Sequence, residues 1–391
     1  MVKFTALAIL GLLLWLILWI ISQFSIVVAT SIGFGVLIFF TFFAVLWSVD
    51  RLALLVNSVH SRCGNCKRTS IIPNFICPNC GKQHQKLVPS YTRGTFYHKC
   101  TCGRNLPTTI FIGRSQLKAA CPFCTTELAT SNAEQFGIQI IGGVSTGKTT
   151  FMSAFWHSYE KKIKTQKISY KKFPPEAFDE LDTWYRHGIS ESTTETNASM
   201  YSIVHKSPKV SAQLTLYDIA GEAFSNLEND IQQQQFKYCE GLIFIVDPLA
   251  NPTETSDSFS SFIRVFKELK GIHASKSSNL PVSVIISKAD IYKKEIGLIK
   301  IKSTCNKNPD MFKDSNGEPS LDLARTSLCR TFLEEHGMEN ILNLIEGEFT
   351  NIEYYPVSAM GHETEAGRAY EPWGVLEPVT NILKQVGFQF V

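Results

Sequence analysis

Gly142-Gly143-Val144-Ser145-Thr146-Gly147-Lys148-Thr149 is the stretch on which the fold turns. It fits the spacing GxxxxGK[ST] in full. The apolar run Phe136-Gly-Ile-Gln-Ile-Ile-Gly142 leads into it and reads as a buried strand, and Phe151 to Tyr159 follows with helical character. Glycines at such a strand-to-helix turn let backbone N–H groups face phosphate oxygens, and the helix N-terminus adds partial positive charge. Lys148 then reaches β- and γ-phosphates, and the Thr149 hydroxyl binds Mg²⁺. Thr150 is grouped with residues 142–149 as nucleotide-binding. The pattern alone can arise by chance; between a strand and a helix it has no serious competitor.

Downstream, Gln213-Leu-Thr-Leu-Tyr217 reads as a strand ending in Asp218-Ile-Ala-Gly221. An Asp at a strand's carboxyl end can hold Mg²⁺ through water, and Gly221 can offer its N–H to a γ-phosphate. Asp-x-x-Gly by itself would be read as a turn; its place after a phosphate loop favours the binding role. Gly241-Leu-Ile-Phe-Ile-Val246 is another buried strand. Asp247 after it is a rival magnesium ligand, but a loop or helix-capping role is preferred. Pro281 to Ile286 is a strand running into Ser287-Lys288-Ala289-Asp290. There the Asp290 carboxylate can accept from guanine N1–H and the exocyclic amine, a donor pair that adenine lacks, and the Lys288 stem can lie over the base. Ile352 to Val357 is a further strand, ending in Ser358-Ala359, where a backbone N–H can reach the guanine oxygen.

This order of motifs, over roughly residues 133–391, resembles the Ras-like P-loop GTPases of the translation-factor-related class. Tyr217-Asp-Ile-Ala-Gly-Glu222, with the cysteine pairs and apolar segments described below, is most similar to the bacterial double-GTPase families of predicted conflict or defence loci. The resemblance implies a three-layer α/β domain with a mostly parallel sheet, GTP/GDP and Mg²⁺ as ligands, and a molecular switch. Departures matter. Ser287 stands where Asn or Thr is usual in the base-reading motif, which weakens guanine specificity. Glu222 stands where Ras-like enzymes place a Gln that orients water; a carboxylate there repels γ-phosphate charge and implies slow intrinsic hydrolysis or help from a partner. The switch threonine falls among Thr193, Thr194 and Thr196, with Thr194 favoured, in a polar loop suited to ordering by nucleotide. Lys148, Thr194 and Glu222 are the catalytic candidates. Lys161 to Glu180, with six lysines and Pro174-Pro175, reads as a solvated excursion, with a lid or partner surface as the alternative.

Upstream the charge changes sign. From Arg51 to Thr126 there are eleven Lys/Arg and no Asp or Glu, whereas from Glu127 onward 26 basic residues face 34 acidic ones. Eight of the eleven cysteines also lie in this segment. Clustered thiols in CxxC-like pairs beside a nucleotide domain point to metal and a reducing compartment, not disulfides. Taken in order, Cys63 and Cys66 pair with Cys77 and Cys80, and Cys100 and Cys102 pair with Cys121 and Cys124. Each set offers four tetrahedral thiolates to zinc, giving a double zinc ribbon and two zinc ions. His84 and His98 are alternative ligands, although an ordinary surface role is preferred for both. Two four-thiolate sites carry about −2 each and leave the segment basic. Anionic lipid headgroups or a protein partner fit it ahead of nucleic acid; a simple spacer role competes with both.

Phe4 to Ile21 and Ile26 to Trp47 are uncharged, 18 and 22 residues long. Separated by Ser22-Gln23-Phe24-Ser25, they read as two antiparallel membrane helices with Trp15, Trp19 and Trp47 near the interfaces. A cleaved signal peptide and a re-entrant element are the alternatives. Arg51, Arg62, Lys67 and Arg68 follow the second helix, so both termini are expected on the cytoplasmic side of the cell membrane. The expected organisation is a transmembrane helical hairpin (residues 1–50), a double zinc ribbon (51–130) and a P-loop GTPase domain (133–391). The expected activity is slow GTP hydrolysis at a membrane with a protein effector or activating partner. A non-hydrolysing nucleotide-binding scaffold and an ATPase are the rivals.

Overall fold

The computed structural model describes residues 2–56, 61–63, 66, 68–70, 72–92, 94–129, 133–143, 145–188, 199–206, 211–218, 239–273, 276–363 and 367–388. The apolar N-terminus forms one uninterrupted helix, α1 (Val2–Val56). The expected two-helix hairpin is therefore corrected to a single helix. The physical reason lies in Ser22-Gln23-Phe24-Ser25, which contains neither Gly nor Pro and leaves every backbone donor in the ladder. Farther along, Thr30 and Ser31 return their hydroxyls to the carbonyls of Ile26 and Val27 at 2.7–3.0 Å, so their polar atoms also stay within the helix. Leu14–Ala53 is long and apolar enough to cross a membrane, and it is the one such span among the described residues. With one helix, the expectation of both termini on one side loses its basis.

The chain divides into two compact units, residues 1–57 with 75–117, and residues 58–74 with 118–391. The first holds α1 and an inner cysteine ribbon. Tyr97–Lys99 pairs antiparallel with Asn105–Pro107, and Phe75 and Ile76 pair with His84 and Gln83. Asp50, at the end of α1, forms an ion pair with Arg114 at 2.9 Å, both side chains 3 % exposed or less. Arg114 also donates to the carbonyls of Leu87 and Thr108, and Asp50 accepts the Ile110 N–H at 3.1 Å.

The second unit contains an outer cysteine ribbon and a seven-stranded sheet. Its strands are β1 (Ala133–Gly142), β2 (Ser169–Phe173), β3 (Ser199–Lys206), β4 (Ser211–Asp218), β5 (Cys239–Val246), β6 (Val282–Ile286) and β7 (Ile352–Pro356). Their order is β7-β6-β5-β1-β4-β3-β2. The pairs from β7 to β4 are parallel, and β3 and β2 join antiparallel. The helices longer than one turn are α2 (Lys148–Thr165), α3 (Pro175–His187), α4 (Pro252–Lys270), α5 (Leu298–Lys307), α6 (Leu321–Glu335), α7 (Glu339–Glu348) and α8 (Glu377–Gln385).

Both faces of the sheet are buried, as parallel strands require. Phe136, Ile138 and Ile140 of β1 pack with α2, α3 and α8 on one face. Ile141 turns to the other and joins Leu242, Phe244 and Val246 of β5 against α4, α6 and α7. This gives the expected three layers. The stretch Lys161–Glu180 is not a solvated excursion: it finishes α2, supplies edge strand β2 and starts α3. β2 belongs to the sheet because its backbone pairs with β3, from Phe173↔Ser202 to Ser169↔Lys206. β1 has β4 on one side and β5 on the other, so the crevice at its carboxyl end is where this class of sheet takes ligands.

Candidate nucleotide site and cysteine clusters

The phosphate loop leaves β1 at that crevice. Ser145 adopts φ 60° and Gly147 φ 89°, and α2 begins immediately after, at Lys148. A Cβ at Gly142 would lie 2.6 Å from Thr146 Oγ1 and 3.2 Å from the Ile245 carbonyl, so glycine alone fits the start of the loop. Thr146, buried, donates to the Gly143 carbonyl at 3.0 Å and closes the turn. Lys148 Nζ donates to the carbonyls of Gly142 (2.9 Å) and Gly143 (2.8 Å), which places its ammonium across the mouth of the loop. Val144 lies outside the described residues.

β4 delivers Asp218 to the same place. Thr149 Oγ1 donates to Asp218 Oδ2 at 3.3 Å, so the two expected magnesium ligands meet although 69 positions separate them. Asp218 Oδ1 is buried with no hydrogen-bond partner among the described residues. Burial pushes the Asp218 carboxyl above its usual range, with Lys148 and Thr149 opposing. Burial also pulls Lys148 below the usual lysine value, with Asp218 opposing. Each group is thus short of counter-charge: Lys148 of an anion, Asp218 of a cation. A magnesium–phosphate group carries both, and the unpartnered Oδ1 gives a hydrated cation its acceptor. The residues present fit that group. Thr194, Gly221 and Glu222, with Thr193 and Thr196, lie outside the described residues.

The residues expected to read the base meet across two strand ends. Ser358 Oγ donates to Asp290 Oδ1 at 2.5 Å and accepts the Gly361 N–H at 2.9 Å. Ala289 N–H donates to the Val357 carbonyl at 3.1 Å, tying the two loops together. The Ser358 N–H, an expected contact for the guanine oxygen, donates instead to the Trp373 carbonyl at 3.1 Å; Ala359 remains next in line on the same turn. Ser287 bonds by N–H (2.9 Å) and Oγ (3.3 Å) to the Val246 carbonyl and so braces β5. Lys288, at φ 54°, pairs with Asp247 at 2.6 Å. Asp247 also accepts the Leu249 N–H at 3.0 Å, the loop role preferred for it.

Tyr370 was not signalled by any motif. Its side chain bonds Thr150, and its N–H donates to the Tyr185 carbonyl at 3.0 Å. Residues 359–373 have no apolar period that would have marked it.

The cysteines regroup. Cys63, Cys66, Cys121 and Cys124 form one cluster, and Cys77, Cys80, Cys100 and Cys102 form the other. The expected pairing in chain order is therefore corrected: the two pairs that are inner in the sequence form one set, and the two that are outer in the sequence form the other. None of the eight is in a disulfide, and the closest Sγ···Sγ approaches are 3.4–3.7 Å. Four sulfurs at about 2.3 Å from one ion stand about 3.8 Å apart, so each set has the dimensions of a tetrahedral zinc site. Backbone geometry explains the knuckles: Cys77 accepts from Gly81 N–H, and Cys121 from Thr125 N–H, both at 2.9 Å. Hydrogen bonds from the Asn79 side chain and the Arg104 amide bring Cys102 down to about 6. At Cys124 burial opposes, but the Thr126 hydroxyl and amide outweigh it and also give about 6. A thiolate is thus favoured at Cys102 and at Cys124, one in each set, while burial pushes Cys66 up and, against the Lys82 amide, the neighbouring thiols push Cys80 up. His84 Nε2 lies 3.2 Å from Cys100 Sγ, beside the inner set and not among its four ligands.

A family model described as Double-GTPase 2 matches residues 137–339. No curated protein matches the chain.

Proposed function

The chain belongs to the Double-GTPase 2 family, and from that premise we propose that it is a membrane-associated enzyme that binds GTP with Mg²⁺ and hydrolyses it slowly as a switch. The family makes it a GTP-binding protein. The pairing of Ser358 with Asp290 at 2.5 Å carries the base assignment further, because it aims a carboxylate for guanine at the ligand edge of the sheet. α1 supports a membrane location, and Arg51 at its end supports a cytoplasmic side for the nucleotide domain. The two four-thiol sets support two structural zinc ions.

In this reading Lys148 and the amides of the phosphate loop stabilise charge that develops on the transferred phosphoryl as water attacks in line. Thr149 and Asp218 would hold Mg²⁺, which when bound would neutralise phosphate charge. Asp290, steadied by Ser358, selects the base. Glu222 gives the reason for slow turnover and for a partner that completes the site.

The test is GTP and ATP binding and hydrolysis by the purified full-length protein, beside Lys148→Ala and Asp290→Ala. GTP preference with slow turnover, both lost on substitution, supports the proposal. Equal use of ATP, indifferent to Asp290, replaces it with an ATPase. Tight GTP binding without turnover leaves a scaffold.

A further inference from the structure

The inner ribbon does not merely follow α1; part of it lies alongside the helix. The Tyr91 ring packs edge-on against Phe43, centroids 6.5 Å apart. Phe43 is ten residues before the end of the apolar span at Ala53, or about 15 Å along the helix axis. Two turns nearer the end, Asp50 receives the Ile110 N–H and Arg114. The Tyr91 loop and the turn Ile110–Ile112 therefore flank the last turns of α1, between Phe43 and Asp50. Any bilayer that surrounds this part of α1 must reach them.

Their chemistry suits that place. Tyr91 and Phe111 are 67 % and 68 % exposed, and Trp47, Phe96 and Tyr97 are also exposed. Aromatic rings with one wet and one apolar side collect at the headgroup level of membranes. Of the charges nearest this surface, Asp50 and Arg114 are turned inward and neutralise each other, Arg114 being further satisfied by two carbonyls, and Arg51 lies over the Trp47 ring at 5.2 Å. A buried ion pair needs such complete bonding to offset its desolvation. Farther from α1 in sequence, Lys82, Lys86, Lys99 and Arg104 are exposed with no acidic residue between Arg51 and Thr126, which matches anionic headgroups.

We propose that the inner ribbon is seated in the membrane interface, with Tyr91 and Phe111 among the headgroups of an anionic phospholipid bilayer and its lysines toward the phosphates. This rests on the membrane reading of α1 and deepens it: the ribbon is a second contact with the lipid, and it fixes the last turns of α1 at the surface.

The experiment uses the zinc-loaded full chain in phosphatidylcholine–phosphatidylserine vesicles. An environment-sensitive fluorescent amino acid is placed at position 39, 91 or 299, one protein for each, and quenching by brominated lipid is read. Phe39 lies within α1, and Ile299 is an exposed residue of the nucleotide domain. Quenching and a blue shift at 39 and 91 but not at 299 are expected, with weaker quenching at 91 in pure phosphatidylcholine. Quenching at 39 with none at 91 overturns the interfacial ribbon while the membrane helix stands. No quenching at 39 removes the membrane helix and the proposal with it. Quenching at 91 that is unchanged without phosphatidylserine overturns the anionic component.

Discussion

The nucleotide domain and the inner cysteine ribbon solve the same problem with different means. The sheet of the domain buries apolar side chains on both faces, from Phe136, Ile138 and Ile140 on one to Phe244, Phe259 and Phe262 on the other. Between Phe75 and Leu117 the fully buried hydrophobic residues are Phe75, Cys77, Leu87, Cys100 and Leu106, two of them metal-type ligands. A segment with so little apolar burial cannot offset chain entropy from its core alone. The difference teaches that burial holds one region, whereas the other needs the metal proposed for its four thiols. Chelation is the most direct way to break the comparison. Removing zinc should unfold the ribbons, since a structural zinc site contributes about 10–16 kcal/mol near neutral pH. GTP affinity should change by less than about threefold, under 1 kcal/mol. Circular dichroism and nucleotide titration before and after chelator check both; parallel loss of nucleotide binding would show that the domain also depends on metal.

The next effect is a count. Nested and sequential pairings use the same eight cysteines, so single substitutions cannot separate them. Paired ones do. In the nested arrangement Cys63→Ser with Cys124→Ser disables one cluster, and Cys63→Ser with Cys77→Ser disables both. Elemental analysis should find one zinc ion lost in the first protein and two in the second. Sequential pairing demands the reverse.

That regrouping marks the limit of what the sequence discloses. Spacing within Cys77-Pro-Asn-Cys80 reveals a knuckle because a tight turn is local; which knuckles meet is a matter of chain path, and spacing does not encode it. The meeting of Asp218 and Thr149 was legible despite their separation because one apolar strand ends at Asp218 and another at the loop that leads to Thr149, and parallel strands put such ends on one edge. β2 was missed for the opposite reason: Ser169-Tyr-Lys-Lys-Phe173 is an edge strand with no fully buried residue, so it lacks an apolar face to announce it. α1 was misread because uncharged length fits one helix or two, and only backbone continuity through Ser22–Ser25 decides.

Asp218→Asn sharpens the comparison on the nucleotide side. The carboxylate is raised by burial, so its charge opposes folding until a cation arrives. The amide should leave stability unchanged or slightly improved while weakening magnesium-dependent GTP binding by about 1.5–3 kcal/mol, the usual loss of a charged hydrogen-bonding partner. Titrations with and without Mg²⁺ read the term: the variant's deficit should appear only with the metal. A drop in melting temperature together with an equal deficit without Mg²⁺ would make Asp218 a structural carboxylate.

Ser358→Ala is the smallest change and the most specific. Ser358 Oγ gives its proton to Asp290 at 2.5 Å and takes the Gly361 N–H at 2.9 Å, so it orders a carboxylate and a loop without itself lying in the phosphate site. Its N–H to Trp373 and the Ala289 N–H to the Val357 carbonyl survive the substitution, so the two loops remain tied. What goes is the restraint on Asp290. Losing one neutral-to-charged hydrogen bond of this kind should cost GTP affinity about 1–2 kcal/mol, roughly five- to thirtyfold. ATP affinity, which gains nothing from Asp290, should stay within about twofold, under 0.5 kcal/mol. The ratio of the two affinities is therefore the quantity to measure. If both fall together, the serine supports the loop and not the choice of base.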